Sequence, residues 1–332
     1  NSNLVVNESF LDSATVRENV VSLARNIGYV PRSRTAAKAT ISFNIASSDT
    51  SEPATTTLKA GLVCIATGND ITYTFSIPDD ITTVATSSGI INNDGSFSPT
   101  GYTASFNSIE VFQGTYLRKT FTVDGSLDQR FILDNPFIDT STIIVHVKDK
   151  LDDADRGILF TKIDNILNIK PSSTTFLIQE IQDEKYELLF GDGIFGKKLE
   201  NETKITVQYI VTDGSEGNGP GGNKNATNVF SFAGTIQKET SESGVTSRST
   251  ITPSTRTITT LQRASNGGDI ETINSIKYFA PRLYSSQYRA VTSRDYETII
   301  QSIYPNTESV SVVGGEEMDP PQFGTVFLTI KP

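Results

Sequence analysis

From Ala36 onward the apolar residues return at every second position, in short runs that glycine-containing turns break. Ile41, Phe43 and Ile45 form one such run, and Ile71, Tyr73, Phe75 and Ile77 form another. A period of two places these side chains on one face of an extended strand. Further strands are expected at 109–112, 118–123, 130–133, 143–147, 176–181, 187–190 and 205–211. Asn93-Asp94-Gly95, Asp124-Gly125, Asp192-Gly193 and Asp213-Gly214 carry the small and positive-φ residues that reverse a chain. Such a stretch must pair strands. The expectation is a central, mainly antiparallel β domain over 36–214, with a polar excursion near 81–105 and no internal repeat.

The two ends follow a helical period. Val16, Val20, Leu23 and Ile27 make one apolar stripe, Thr15 and Glu18 have capping-box spacing, and Gly28 and Pro31 stand where helices stop. A stripe on an isolated helix must be buried, so a partner chain or upstream residues are expected to cover it. Near the other end, Ile270, Ile273 and Ile276 predict a helix from Asp269 to Pro281. Thr292 and Asp295 cap a second, with Tyr296, Ile299, Ile300 and Ile303 on its apolar face and Pro305 beyond. Strands at 309–313 and 325–330 follow. Between β domain and helices, GSEGNGPGGNKN, a short apolar piece at 229–236 and SESGVTSRSTITPSTRTITT read as a linker or an arm lying on a neighbour.

The fold class is therefore α+β and β-rich: an N-terminal helical segment (1–35), the β domain (36–214), a Gly/Ser/Thr-rich linker or arm (215–262) and the start of a C-terminal helix–strand domain (263–332). The chain opens on Asn1, not Met, and closes on TVFLTIKP in mid-strand. It is expected to be incomplete at both ends.

Composition narrows function mainly by exclusion. With 38 acidic against 28 basic residues the net charge is -10, which repels nucleic acid and anionic membranes. No apolar run is long enough to span a bilayer. The single cysteine, Cys64, sits in an apolar run and reads as a buried thiol, and the single histidine, His146, has no second ligand for a metal. Acidic clusters at LDDAD (151–155), EIQDEKYE (180–187) and GGEEMDPP (314–321) read as solvated loops, and no G-x-S-x-G elbow accompanies a serine. No catalytic residue, metal or cofactor is expected. Arg282 and Arg289 flank Tyr284 and Tyr288, which packing or subunit contact explains better than base stacking.

The sharpest local motif is YELLFGDGIFGKKL (186–199). Gly191, Asp192, Gly193 and Gly196 predict a tight hairpin turn, because only glycine enters such backbone conformations cheaply. The loop lacks the spacing of a phosphate cradle and the carboxylates of a calcium site.

YELLFGDGIFGKKLENETKITVQYIVTDGSEGN, GGDIETINSIKYFAPRLYSSQYRAVTSRDYETII and IYPNTESVSVVGGEEMDPPQFGTVFLTIKP, in that order, resemble blocks of the baseplate J-like family and its wedge-protein relatives in contractile phage tails. The opening helix and its exit also resemble the family segment before the β domain. The resemblance implies a structural subunit of a phage tail baseplate wedge, not an enzyme. Its implied partners are copies of itself (a homodimer or ring) and other wedge subunits, with no nucleic acid and no membrane. Its implied location is the virion tail baseplate after synthesis in the host cytoplasm. The ring would surround the tail hub and relay the rearrangement that triggers sheath contraction. Carried over by position, Gly191, Asp192 and Gly193 would set the hairpin, while Arg289 and the Thr292, Asp295 and Tyr296 cap would order the second helix. The alternatives are a carbohydrate-binding tail fibre or adhesin module, which the absence of Trp disfavours, and a cell-wall glycosidase.

Overall fold

The computed structural model describes residues 6–48, 55–68, 71–126, 128–150, 156–163, 169–222, 226–227, 229–242, 245–251, 258–287, 289–304, 307 and 309–331. The acidic run 151–155, Tyr288 and Pro305 lie outside them. Nearly half of the described chain is strand, and three α-helices of ten to fourteen residues accompany it.

The first sheet runs, in spatial order, 226–227, 258–265, 38–47, 97–113, 71–77, 61–68 and 230–232, with 85–91 branching off 97–113. Its two edges are held by one short piece of chain: 226–227 pairs with 258–265, and 230–232 pairs with 61–68. Three residue steps reach at most about 11 Å, so the sheet must curl until its edges nearly meet. Ile41, Ile45, Phe75 and Phe106 are buried inside the curl. Phe43 stacks on Phe106 at 5.0 Å and Phe75 meets Phe230 edge-on at 5.1 Å.

A second sheet is ordered 115–122, 204–211, 138–148, 158–162, 175–180, 186–190 and 131–133. Pairing is antiparallel except between 158–162 and 175–180. This sheet also curls, because its outer strands approach each other: Lys119 Nζ donates to the Ile132 carbonyl at 2.9 Å, and Phe121 meets Phe131 at 5.6 Å. Leu133, Val145, Phe176, Leu188 and Val207 fill its interior. The stretch expected to be one β domain thus gathers its apolar side chains around two centres. The chain passes between them at Gly114, whose φ is +134° and where a Cβ would lie 2.2 Å from the Val211 carbonyl oxygen.

The polar excursion near 81–105 is ordered strand: 81–83, 85–91 and the start of 97–113, the last two forming a projecting hairpin. Toward its tip, at 86–91 and 97–100, both faces meet solvent, so that part lacks the alternation by which a half-buried strand is recognised. The expected linker or arm at 215–262 likewise contributes 230–232 and 258–265 to the first sheet. It also adds 236–242 and 245–251 to a four-stranded sheet with 55–58 and 81–83. Its serines and threonines do not prevent this, because ladder hydrogen bonds come from the backbone.

Helix α1 (Arg17–Asn26) buries Val20, Val21 and Ala24 against Ile276, Ala280 and Leu283 of α2 (Ile273–Ser286). Apart from Val16, which is exposed, the stripe expected to need a partner chain or upstream residues is covered from within the chain. Its cap also differs from the Thr15–Glu18 expectation. Val16 is the N-cap, and the Glu8 carboxylate accepts from Thr15 N (2.8 Å), Thr15 Oγ1 (2.7 Å), Val16 N (3.3 Å) and Asn19 Nδ2 (2.8 Å). Those donors hold the exposed Glu8 carboxyl down at about 2.

Helix α2 begins after Thr272, whose Oγ1 accepts from Ser275 N, and it continues past Pro281 instead of ending there. Proline removes one helical bond and costs ~3 kcal/mol. Burying Ile276 and Leu283 at about 1.5–3 kcal/mol each outweighs that cost. Helix α3 (Ser293–Ile303) leads into the hairpin Ser309–Gly314 and Val326–Lys331, which closes the fold.

Candidate assembly surface

The glycine motif lies at the end of strand Tyr186–Phe190, in the second sheet. That strand pairs with 175–180 and 131–133, while the chain after the motif goes on to 204–211 between other neighbours. The motif is therefore a closed loop and not the expected hairpin. Asp192 Oδ1 accepts from Ile194 N and Phe195 N, each at 2.8 Å, and Gly193 N donates to Gly196 O at 3.1 Å. Those two amides hold the Asp192 carboxyl below the usual range. Gly193 and Gly196 have φ of +94° and +92°, and a Cβ on Gly191 would fall 2.2 Å from the Gly196 carbonyl carbon. The loop needs its glycines for this close backbone crossing. It presents Ile194 and Phe195 to solvent at 67% and 52% exposure.

The second group of expected residues is in the helical part. Thr292 Oγ1 accepts from Asp295 N at 3.3 Å, and Asp295 Oδ2 accepts from Thr292 N at 2.8 Å, a reciprocal capping box. The amides of Thr292 and Val291 keep the Asp295 carboxyl depressed. Tyr296 N donates to Thr292 O at 3.2 Å. Arg289 stands exposed between α2 and α3, with its N–H on Ser286 O. Arg282 lies 3.4 Å over the Tyr278 ring and donates to the Tyr278 carbonyl. Among the described residues no hydrogen bond, ion pair or ring contact joins this group to the 191–196 loop.

Helix α3 packs on strand 309–314 and leaves the partner strand open. Val312 is buried, whereas its cross-strand partner Leu328, together with Val326 and Ile330, is exposed. Tyr284, Val291, Ile303, Tyr304 and Phe323 add to the apolar area of this end. Where exposed apolar side chains cluster, they mark contact sites.

Several described groups of a kind that can carry chemistry have structural partners. His146 alternates with buried Val145 and Val147, and partial burial lowers its pKa. Glu187 holds Arg130 through two bonds of 2.7 Å and also takes Gln179, while Glu180 holds Arg17 at 2.7 and 3.0 Å. Among the described residues no group of three or more His, Cys, Asp or Glu side chains could hold a metal. Sequence patterns did not reveal the Arg17–Glu180 pair, since its members lie 163 positions apart.

Two comparisons bear on this arrangement. Residues 292–332, covering α3 and the hairpin, match the family described as baseplate structural protein gp6, C-terminal domain I. Along 92% of its length the chain is 26% identical to the baseplate wedge protein gp6 of Enterobacteria phage T4, and the match spans 45% of that protein. The half-covered hairpin thus falls within the segment that the family match delimits. The resemblance in the ordered blocks and these two matches agree: the chain is similar to the phage baseplate wedge proteins.

Proposed function

We propose that the chain is a structural part of a phage tail baseplate wedge, located in the virion and working through contacts and not catalysis. The observation that carries this reading is similarity to a wedge protein that extends over 92% of the chain. The architecture supports it. Two β cores make stiff bodies, and the exposed apolar side chains include Ile194 and Phe195 of the 191–196 loop and Val326, Leu328 and Ile330 of the hairpin end, where partners can bind. In this reading the chain contacts copies of itself and other wedge subunits, joins a ring around the tail hub and passes on the rearrangement that precedes sheath contraction. The Gly191–Gly196 loop and the Thr292–Asp295 cap hold contact surfaces in shape. Gold-labelled antibody against the chain, imaged on virions that carry it, tests the placement. Label confined to the baseplate is the expected result, and label along the fibres would overturn it.

A further inference from the structure

The helices and the β cores are two bodies, and the chain passes between them twice. Residues 6–32 and 271–331 form the helical body with its hairpin, and 35–268 form the β part. The two passages run side by side as an antiparallel ribbon. Thr35 N donates to Gly268 O at 2.9 Å and Gly268 N to Thr35 O at 3.0 Å; one step outward, Glu271 N donates to Arg32 O at 3.1 Å. Glu271 ties the outer end further by accepting from Arg32 N at 3.0 Å, Tyr29 Oη at 2.7 Å and Ser275 Oγ at 2.7 Å. The inner end is pinned to the β part. Ala36 N donates to buried Asp139, Ser33 Oγ bonds Thr140, Asn218 holds Gly267, and Ser215 Oγ donates to Asp269.

Away from the ribbon the two bodies meet through polar groups. Arg17 of α1 lays its guanidinium on Glu180 in a two-bond fork and also donates to the Glu271 carbonyl, and Arg25 donates to Gln179 at 2.9 Å. The apolar cluster of the helices contains no side chain of the β cores, and those cores contain none of the helices. Between the bodies lies a cavity of about 730 Å³, lined by Arg32, Asp139, Lys162, Glu180, Glu271 and Thr298 among others. Relative motion is the expectation wherever a junction lacks a large apolar interface.

We infer that the helical body is a latched, hinged arm: it swings on the ribbon of 32–35 and 268–271, and the Arg17–Glu180 fork holds it closed. The paired ribbon resists shear, because sliding would break its ladder, and yields by bending across its plane. Glu180 is almost fully buried, so opening exchanges its guanidinium partner for water, and the released carboxylate is rehydrated. That exchange lets the latch have two stable states, whereas opening an apolar core would carry an uncompensated cost. This inference rests on the geometry alone and stands separately from the baseplate reading.

The test uses the full chain with spin labels at Ser285→Cys on the helical body and Glu200→Cys on the β part, with buried Cys64 left in place. Distances between the labels are measured by pulsed electron resonance in the parent, Arg17→Ala, Arg17→Lys and Glu180→Gln, with amide exchange reporting whether each body is folded. The expected result is one narrow distribution in the parent, at least a twofold broadening in Arg17→Ala and Glu180→Gln, and an intermediate width in Arg17→Lys. Exchange protection inside α2 and strand 204–211 should be retained throughout. Equal widths in all four proteins would overturn the hinge. Loss of α2 protection in the latch variants would overturn it too, since Arg17 would then be a core strut.

Discussion

Ile276 offers the sharpest test of how stability is distributed in this chain. It is fully buried in the helical cluster beside Val20, Val21, Ala24 and Ala280, and that cluster shares no side chain with either β core. Ile276→Ala deletes three carbons, worth ~0.8 kcal/mol each in transfer, and leaves a cavity that only partly collapses. The expected loss is ~3 kcal/mol, within the ~2–5 kcal/mol range for such truncations. Ile276→Val should cost about 1 kcal/mol. Native-state amide exchange separates local from shared stability. A loss of 3 kcal/mol raises opening about 150-fold at 1.4 kcal/mol per decade, so protection in α1 and α2 should fall by about two decades. Protection in strands 138–148 and 204–211 should stay within about threefold of the parent. An equal fall in helices and strands would refute the reasoning, for it would mean that the bodies unfold as one.

Three further outcomes follow from the local geometry. Glu8 has a folded pKa near 2 against a reference of 4.5, so its contribution is present above 4.5 and is lost as pH falls toward 2; a carboxyl titration by NMR should show the depressed midpoint, and Asn19→Ala should raise it. Gly191→Ala should destabilise the second sheet more than Gly193→Ala, because the first Cβ falls 2.2 Å from the Gly196 carbonyl carbon and forces the backbone apart, whereas the second carries the left-handed strain of φ +94° without a clash, its nearest contact being Lys198 Cβ at 3.6 Å; paired denaturant melts would show the order. Thr292→Ala should cost ~1 kcal/mol in α3 while α1 and α2 keep their exchange rates, and a uniform change would count against a purely local cap.

Part of this molecule was legible in the residues themselves. Strand 38–47 announced itself through Ile41, Phe43 and Ile45, because a strand with one buried face needs an apolar residue at every second position. The capping box of α3 was equally readable, since Thr292 and Asp295 interact within one turn. The tip of the projecting hairpin, at 86–91 and 97–100, escaped notice because neither of its faces is buried. The strands within 215–262 escaped because backbone pairing, and not side-chain pattern, recruits them. Local sequence also marked Pro281 as a stop, and only the burial of Ile276 and Leu283 on either side of it carries the helix through.

The sequence by itself determined the alternation of strands and turns, the helical ends, the acidic surface and the glycines of the 191–196 loop. These follow from interactions between residues a few positions apart. Tertiary structure alone decided that the β strands form two cores and that α1 is covered by α2 about 250 residues later. It alone joined Arg17 to Glu180 and Thr35 to Gly268. Such contacts depend on loops that close over long stretches of chain. Each doubling of loop length costs only ~0.6 kcal/mol in entropy, so many closures are nearly equal in cost. The packing of the finished fold selects among them.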